Sequence, residues 1–158
     1  MSGSVNLTEL RQGSAADLAA VSVIMQEAFD PRYGEAWTSA QCLGMLSMPG
    51  VWLTIARHGG IDMGFALSRE TGEEAELLLL ATRPTGRRRG VGGALLRATV
   101  AEAKLRGVKR IHLEVRAGNE AVLLYRREGF EKVGERRGYY RGRGSQLYDA
   151  ETYAKYIA

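Results

Sequence analysis

Residues 74–96 read EAELLLLATRPTGRRRGVGGALL. The first nine, 74–82, form a nearly continuous apolar run, as expected of a strand covered on both faces. From Val91 an apolar, helix-like run extends to about Arg106, where Gly107 supplies a C-terminal stop. Between strand and helix stand Arg83, Arg87, Arg88 and Arg89, interleaved with Gly86 and Gly90 and followed by Gly92 and Gly93. The first turn of a helix leaves backbone N–H groups without partners and carries a partial positive charge. Glycines remove the Cβ atoms that would hold a ligand away. Strand, glycine-rich turn and helix start together predict an anion site, most naturally for phosphate.

Outward from this stretch the chain alternates between strand and helix patterns. Residues 5–12 read as a first strand. Ser14 and Asp17 form a capping pattern before a helix reaching about Phe29. Thr38 and Gln41 form a second such pattern before a short helix that Pro49-Gly50 stops. VWLTIARH and MGFALSRE flank Gly59-Gly60, a hairpin signal. RIHLEV (110–115) is a strand, 120–128 a helix ended by Gly129, and 131–140 and 145–157 two final strands. The order β-α-α-β-β-β-α-β-α-β-β predicts an α/β fold. It has a single mixed sheet of about seven strands with helices on both faces, parallel where strand 4 crosses through a helix to strand 5.

Two common phosphate motifs do not fit the turn. A P-loop needs a Lys-Ser/Thr pair, which is missing, and the dinucleotide fingerprint needs a third glycine where Leu95 stands. What fits is R-x-x-G-x-G, at Arg87-x-x-Gly90-x-Gly92. This resembles the pyrophosphate-binding signature of the GNAT superfamily of N-acetyltransferases, which bind acetyl-CoA. The bland alternative is a basic turn before a glycine-rich helix start. Downstream, RIHLEVRAGNEAVLLYRREGF is similar to the second half of the same fold, and the likeness covers about residues 76–140. LEVRAGN, LYRREGF, RRGYY and AWTSAQ (36–41) look like the RimI-type branch, the ribosomal-protein alanine N-acetyltransferases.

The resemblance implies a GNAT fold and direct acetyl transfer from acetyl-CoA to a protein N-terminal α-amine, a ribosomal protein's being the first candidate. It implies cofactor binding by the backbone of Leu80, Ala81 and Thr82, and by Arg87, Arg88, Arg89, Gly90, Val91, Gly92, Gly93 and Asn119. Family members place one more residue between that asparagine and the tyrosine of L-Y-x-x-x-G-F than stands between Asn119 and Tyr125 here.

Acetyl transfer to an amine needs a proton acceptor for the amine and a proton donor for the leaving thiolate. In RIHLEV, strand alternation puts Ile111, Leu113 and Val115 on one face and His112, Glu114 and Arg116 on the other. The resemblance places the proton acceptor on Glu114. A glutamate near its reference pKa of about 4.3 is a poor direct base, so burial or a relaying water is expected. Glu76 and His112 are the rival bases, and a surface or salt-bridged glutamate is the bland alternative for Glu114. Tyr125 is the expected acid, because a phenol of reference pKa about 10 can protonate a thiolate of about 8.5. Its bland alternative is a core tyrosine. Trp37, Tyr139 and Tyr140 are candidate walls for a peptide N-terminus or, equally, packing aromatics. At pH 7 an α-amine is roughly a tenth neutral and a lysine far below a hundredth, so an α-amine asks less of the base.

The 158 residues are read as one domain, 1–158, and 45% hydrophobic with 25% charged residues is ordinary globular composition. The net charge is +4, with Arg136, Arg137, Arg141 and Arg143 forming a second basic group. Arginine mixed with tyrosine and glycine also allows a different class of protein, a non-catalytic RNA-binding module. A small-molecule amine or lysine acetyltransferase is the same-chemistry alternative. No apolar run approaches a membrane span. Residues 1–15 lack a signal-peptide pattern, so the cytoplasm is the expected compartment. Cys42, the single cysteine, excludes an internal disulfide, and no metal site is expected.

Overall fold

The computed structural model describes residues 7–87 and 89–157, so the start of the expected first strand at 5–6 and the side chain of Arg88 lie outside the described residues. The elements are β1 (Thr8–Gln12), α1 (Leu18–Ala28), α2 (Ser39–Leu46), β2 (Val51–His58), β3 (Ile61–Thr71), β4 (Glu74–Thr82), α3 (Val91–Leu105), β5 (Arg110–Arg116), α4 (Ala121–Arg127), β6 (Glu131–Arg141) and β7 (Leu147–Tyr156). The order is the expected one.

Both capping patterns form. Ser14 accepts from the Ala16 amide while Asp17 accepts from the Ser14 amide, so this box opens a short 3-10 turn that runs into α1. Thr38 and Gln41 exchange backbone-to-side-chain bonds of 3.1 and 2.7 Å at the start of α2. These bonds use amide donors that a helix start otherwise leaves without partners.

One seven-stranded sheet has the order β1-β2-β3-β4-β5-β7-β6. All neighbours are antiparallel except β4 and β5, which are parallel. On one face α3 and α4 cover a core that includes Leu77, Leu95, Leu96, Ile111, Leu113, Tyr125, Phe130 and Tyr153. On the other, α1 and α2 bring Val21, Ile24, Met25 and Cys42 onto Leu53, Ile55, Phe65, Leu67, Leu79 and Ala81. Leu95 and Leu96 are fully buried, so truncating either to alanine should cost about 2–5 kcal/mol.

The apolar run of β4 contains a bulge that its sequence does not display. Leu67 pairs with Leu79 and Ser68 with Leu77, which leaves Leu78 as the extra residue. A bulge shifts the side-chain alternation by one. Ala75 and Leu77 therefore face α3, whereas Leu79 and Ala81 face α1 and α2. Four consecutive leucines satisfy both cores because the strand changes faces midway.

The parallel contact between β4 and β5 lasts only three residue pairs, Glu74–Arg110, Ala75–Ile111 and Glu76–His112. Beyond it the two strands diverge. β4 keeps β3 on one side as far as Thr82, and β5 keeps β7 on its other side as far as Arg116. A gap thus opens in the middle of the sheet, with one strand edge of β4 unpaired by β5.

Candidate active site

The open edge of β4 has a defined set of donors. The Arg83 amide donates to the Met63 carbonyl at 2.8 Å, so that position faces β3. Backbone groups on an antiparallel strand alternate between edges. Ala81 therefore turns its amide to β3 as Arg83 does, and Leu80 and Thr82 turn theirs to the gap. Just beyond, Gly90 caps α3 at φ +79°, a left-handed conformation that glycine adopts without a Cβ clash. Among the described residues no side chain caps this end. The first intrahelical bond runs from Ala94 N to Gly90 O, leaving the amides of Val91, Gly92 and Gly93 without intrahelical acceptors. Val91 is fully buried, so only its backbone is available. Gly92 lies against α4, where an added Cβ would stand 3.0 Å from Leu124 Cδ2. A strand edge followed by an uncapped helix start suits a ligand with an amide-bearing arm and a pyrophosphate, as acetyl-CoA has.

The arginines of this turn divide their work. Arg87 donates through Nη2 to the Ala28 carbonyl at 2.7 Å, at the C-terminal end of α1. Arg83 pairs with Glu27 of the same helix at 3.2 Å. Both tie the turn to α1, a contact between distant segments that local sequence does not announce. Arg89 is exposed.

Across the gap, Glu114 lies on the polar face of β5 with its side chain only 8% exposed. Its Oε2 accepts a 2.6 Å hydrogen bond from Thr152 Oγ1, directly opposite on β7, and its Oε1 lies 3.2 Å from Arg136 Nε. The Tyr140 hydroxyl donates to the Glu114 carbonyl at 3.2 Å. Rival base Glu76 shares this face but is more exposed, at 37%. His112 sits between two acids, with Nδ1 3.4 Å from Glu74 and Nε2 3.8 Å from Glu76.

Tyr125 is buried, its ring edge-on to Phe130 at 6.1 Å and tilted on Tyr153 at 6.5 Å. Burial, and secondarily the carboxylate of Glu35, raise its pKa well above the ordinary phenol value. Tyr140 is raised likewise, by burial first and then by Glu35, Tyr139, Tyr125 and Glu114. Tyr125 belongs to the α3–α4 core and Glu114 to the opposite face of the sheet. Tyr139 is half-exposed and packs edge-on to Tyr140 at 4.9 Å, and burial raises its pKa as well. Trp37 packs into the α1–α2 core and lines a small cavity with Met25 and Cys42. Cys42 is buried, and burial pushes its thiol pKa up.

Sequence reasoning missed Glu35, in the segment between α1 and α2. Its side chain is 9% exposed, with Oε1 3.1 Å from Arg116 Nε. Its Oε2 accepts from Asn119 Nδ2 at 2.9 Å. Asn119 Oδ1 in turn accepts from the Ala121 amide at 2.9 Å, at the first turn of α4. The Asn119 amide thus engages groups of the protein at both ends. Nothing local marks Glu35, because its partners lie 81 and 84 residues away.

Comparison with known proteins decides the family. A profile of the acetyltransferase (GNAT) domain matches residues 49–132. The chain belongs to the GNAT acetyltransferase family. This GNAT chain is 38% identical over 119 residues to the N-alpha-acetyltransferase RimI of Mycobacterium tuberculosis, covering 72% of the chain and 73% of that relative. It is 42% identical over 84 residues to the ribosomal protein bS18-alanine N-acetyltransferase of Escherichia coli K12, covering 52% of the chain and 57% of the relative. The crystal structure of the ribosomal-protein-S18-alanine N-acetyltransferase from Escherichia coli matches with a TM-score of 0.84 at 29% identity, covering 96% of this chain and 95% of that one. The GNAT fold and an acetyltransferase activity follow. No helix among the described residues is long and apolar enough to cross a membrane.

Proposed function

We propose that this GNAT chain, acting as one domain, moves an acetyl group from acetyl-CoA directly to the α-amine of a protein N-terminus. The names of its relatives make a ribosomal protein the first acceptor to try, in the cytoplasm. The observation that carries this reading is the gap between β4 and β5. It places an open strand edge and an uncapped helix start on one side and a nearly buried glutamate on the other.

Acetyl-CoA, when bound, supplies an activated thioester. Leu80 and Thr82 would hold its arm through backbone groups, with Ala81 between them. The amides of Val91, Gly92 and Gly93, reached because Gly90 carries no Cβ, would hold its pyrophosphate, with charge from Arg89 and Arg88. Preorganised donors of this kind cost no reorganisation during reaction. Glu114 would receive the amine's proton at a carboxylate oxygen, directly or through water, from a position fixed by Thr152 and Arg136. Tyr125, a phenol protonated at neutral pH, would donate its proton to the departing sulfur. Tyr139 and Tyr140 would flank the acceptor. Cys42, buried between α1 and α2, does not offer an acyl-carrying thiolate, which favours direct transfer.

The test is a peptide panel with free or blocked α-amines, internal lysines and polyamines, with CoA release followed. The reading expects release only with free N-termini, and ribosomal-protein N-termini among the best. Activity confined to lysine or polyamine would overturn it. Failure to bind acetyl-CoA, with salt-sensitive RNA binding instead, would favour the non-catalytic alternative.

A further inference from the structure

The α1–α2 segment crosses the cleft and is fastened at two points. One is backbone to backbone. A Cβ on Gly34 would collide with the Arg141 carbonyl, and one on Gly142 with the Arg32 carbonyl, so this segment and the β6–β7 turn touch where only glycine fits. Tyr33 adds an edge-on contact to Tyr148 at 5.0 Å. The other fastening is the buried carboxylate of Glu35. It joins Arg116, which is 15% exposed and lies 3.7 Å over the Tyr33 ring, to Asn119, which holds the first turn of α4. Ala121, at the end of that chain, is one helical turn before Tyr125 on the same helix face.

We propose that Glu35 is a positioning residue: with Arg116 and Asn119 it clamps the α1–α2 segment over the acceptor side of the cleft and ties that segment to the helix that carries Tyr125. Three properties carry this. Both partners of the ion pair are largely withheld from water, so the contact is not a screened surface pair. Removing one partner of such a pair leaves the other's charge uncompensated. Both oxygens of Glu35 are used, one toward the polar face of β5 two residues beyond Glu114, the other toward α4. The carboxylate therefore joins the acceptor segment, the strand of the expected base and the helix of the expected acid. In this chain Asn119 serves the clamp, and acetyl-CoA affinity does not depend on its side chain.

The kinetic part of the test rests on the N-terminal acetylation reading; the exchange part does not. Glu35→Gln, Asn119→Ala and the double variant are compared with the parent by amide hydrogen exchange without ligand, by acetyl-CoA binding calorimetry, and by steady-state kinetics on the best N-terminal peptide. Glu35→Asp keeps the charge and serves if Glu35→Gln does not fold. In Glu35→Gln, exchange should rise about tenfold or more at both 31–38 and 121–125, with β2 and β3 unmoved. The acceptor KM should rise about tenfold while the acetyl-CoA Kd stays within about twofold. Asn119→Ala should do the same, the double variant little more than either, and Glu35→Asp should recover part of the loss. Faster exchange confined to 31–38 would overturn the tie to α4. A uniform rise across the sheet would reduce Glu35 to a general stabiliser. Weaker acetyl-CoA binding by Asn119→Ala with an unchanged acceptor KM would return Asn119 to the cofactor. If the parent turns over no N-terminal peptide, the substrate reading fails while the exchange pattern still decides the clamp.

Discussion

Glu114→Gln separates chemistry from stability in this site. The carboxylate is held by Thr152 at 2.6 Å and by Arg136 at 3.2 Å. Glutamine has the same shape and keeps an oxygen for the Thr152 hydroxyl. What it loses is the charge facing Arg136, whose side chain is 61% exposed. A half-solvated pair of that kind contributes at most about 1 kcal/mol, and removing a nearly buried charge also removes the cost of desolvating it. The melting temperature should therefore move by no more than about 2–4 °C. Proton acceptance is a different matter. A positioned general base contributes about 10²–10⁴ in rate, or roughly 2.7–5.4 kcal/mol of barrier. Continuous detection of released CoA thiol over a pH series, with calorimetric acetyl-CoA binding alongside, distinguishes the two. We expect kcat/KM to fall by about 10²–10⁴ at neutral pH with acetyl-CoA affinity within about twofold. A loss under about threefold at every pH would refute the assignment. A large loss in Glu76→Gln would then transfer the role to β4.

Other perturbations have outcomes set by the same geometry. Among the described residues no protein group hydrogen-bonds the Tyr125 hydroxyl, so Tyr125→Phe should leave thermal stability nearly unchanged while lowering turnover by at least about tenfold, read from melting curves and steady-state rates. Gly90→Ala puts a side chain at φ +79°, so it should cost about 1–2 kcal/mol locally and raise the acetyl-CoA Kd, measured by titration. Asp17 is held below the usual carboxylate range by its hydrogen bond from Arg11, with help from the Ser14 amide. A carboxylate whose pKa is depressed on folding stabilises above its unfolded value of about 3.9 and loses that contribution as pH falls through the folded value. The deficit of Asp17→Asn in melting temperature should thus be present at pH 7 and shrink as the pH falls below about 3.9. The Cys42 thiol, buried and raised in pKa, should resist alkylation in native protein and react on unfolding, as followed by mass spectrometry.

Local signals in this chain were legible because their physics is local. Ser14 with Asp17 and Thr38 with Gln41 satisfy amides within three residues, so spacing alone reveals them. The polar face of β5 follows from strand alternation and is present as read, with Glu114 where the parity puts it. The turn from β4 into α3 is marked by glycines whose conformational need is written in their identity. Two features of the same stretch were hidden. The bulge at Leu78 cannot be seen in a run of leucines, because equal side chains carry no periodicity to break. The division of labour among Arg83, Arg87 and Arg89 depends on where α1 ends in space, which no spacing within the turn encodes.

By itself, then, the sequence determined the order of elements and the glycine-rich turn from β4 into α3, and its family resemblance made Glu114 and Tyr125 the expected base and acid. Only the tertiary structure decided what surrounds them. The opening of the sheet comes from the short parallel contact of β4 with β5. Thr152 reaches Glu114 across 38 positions, and Glu35 reaches Arg116 across 81. Caps and strand parity depend on neighbours along the chain, whereas a buried carboxylate is defined by whichever distant donors the fold delivers to its oxygens.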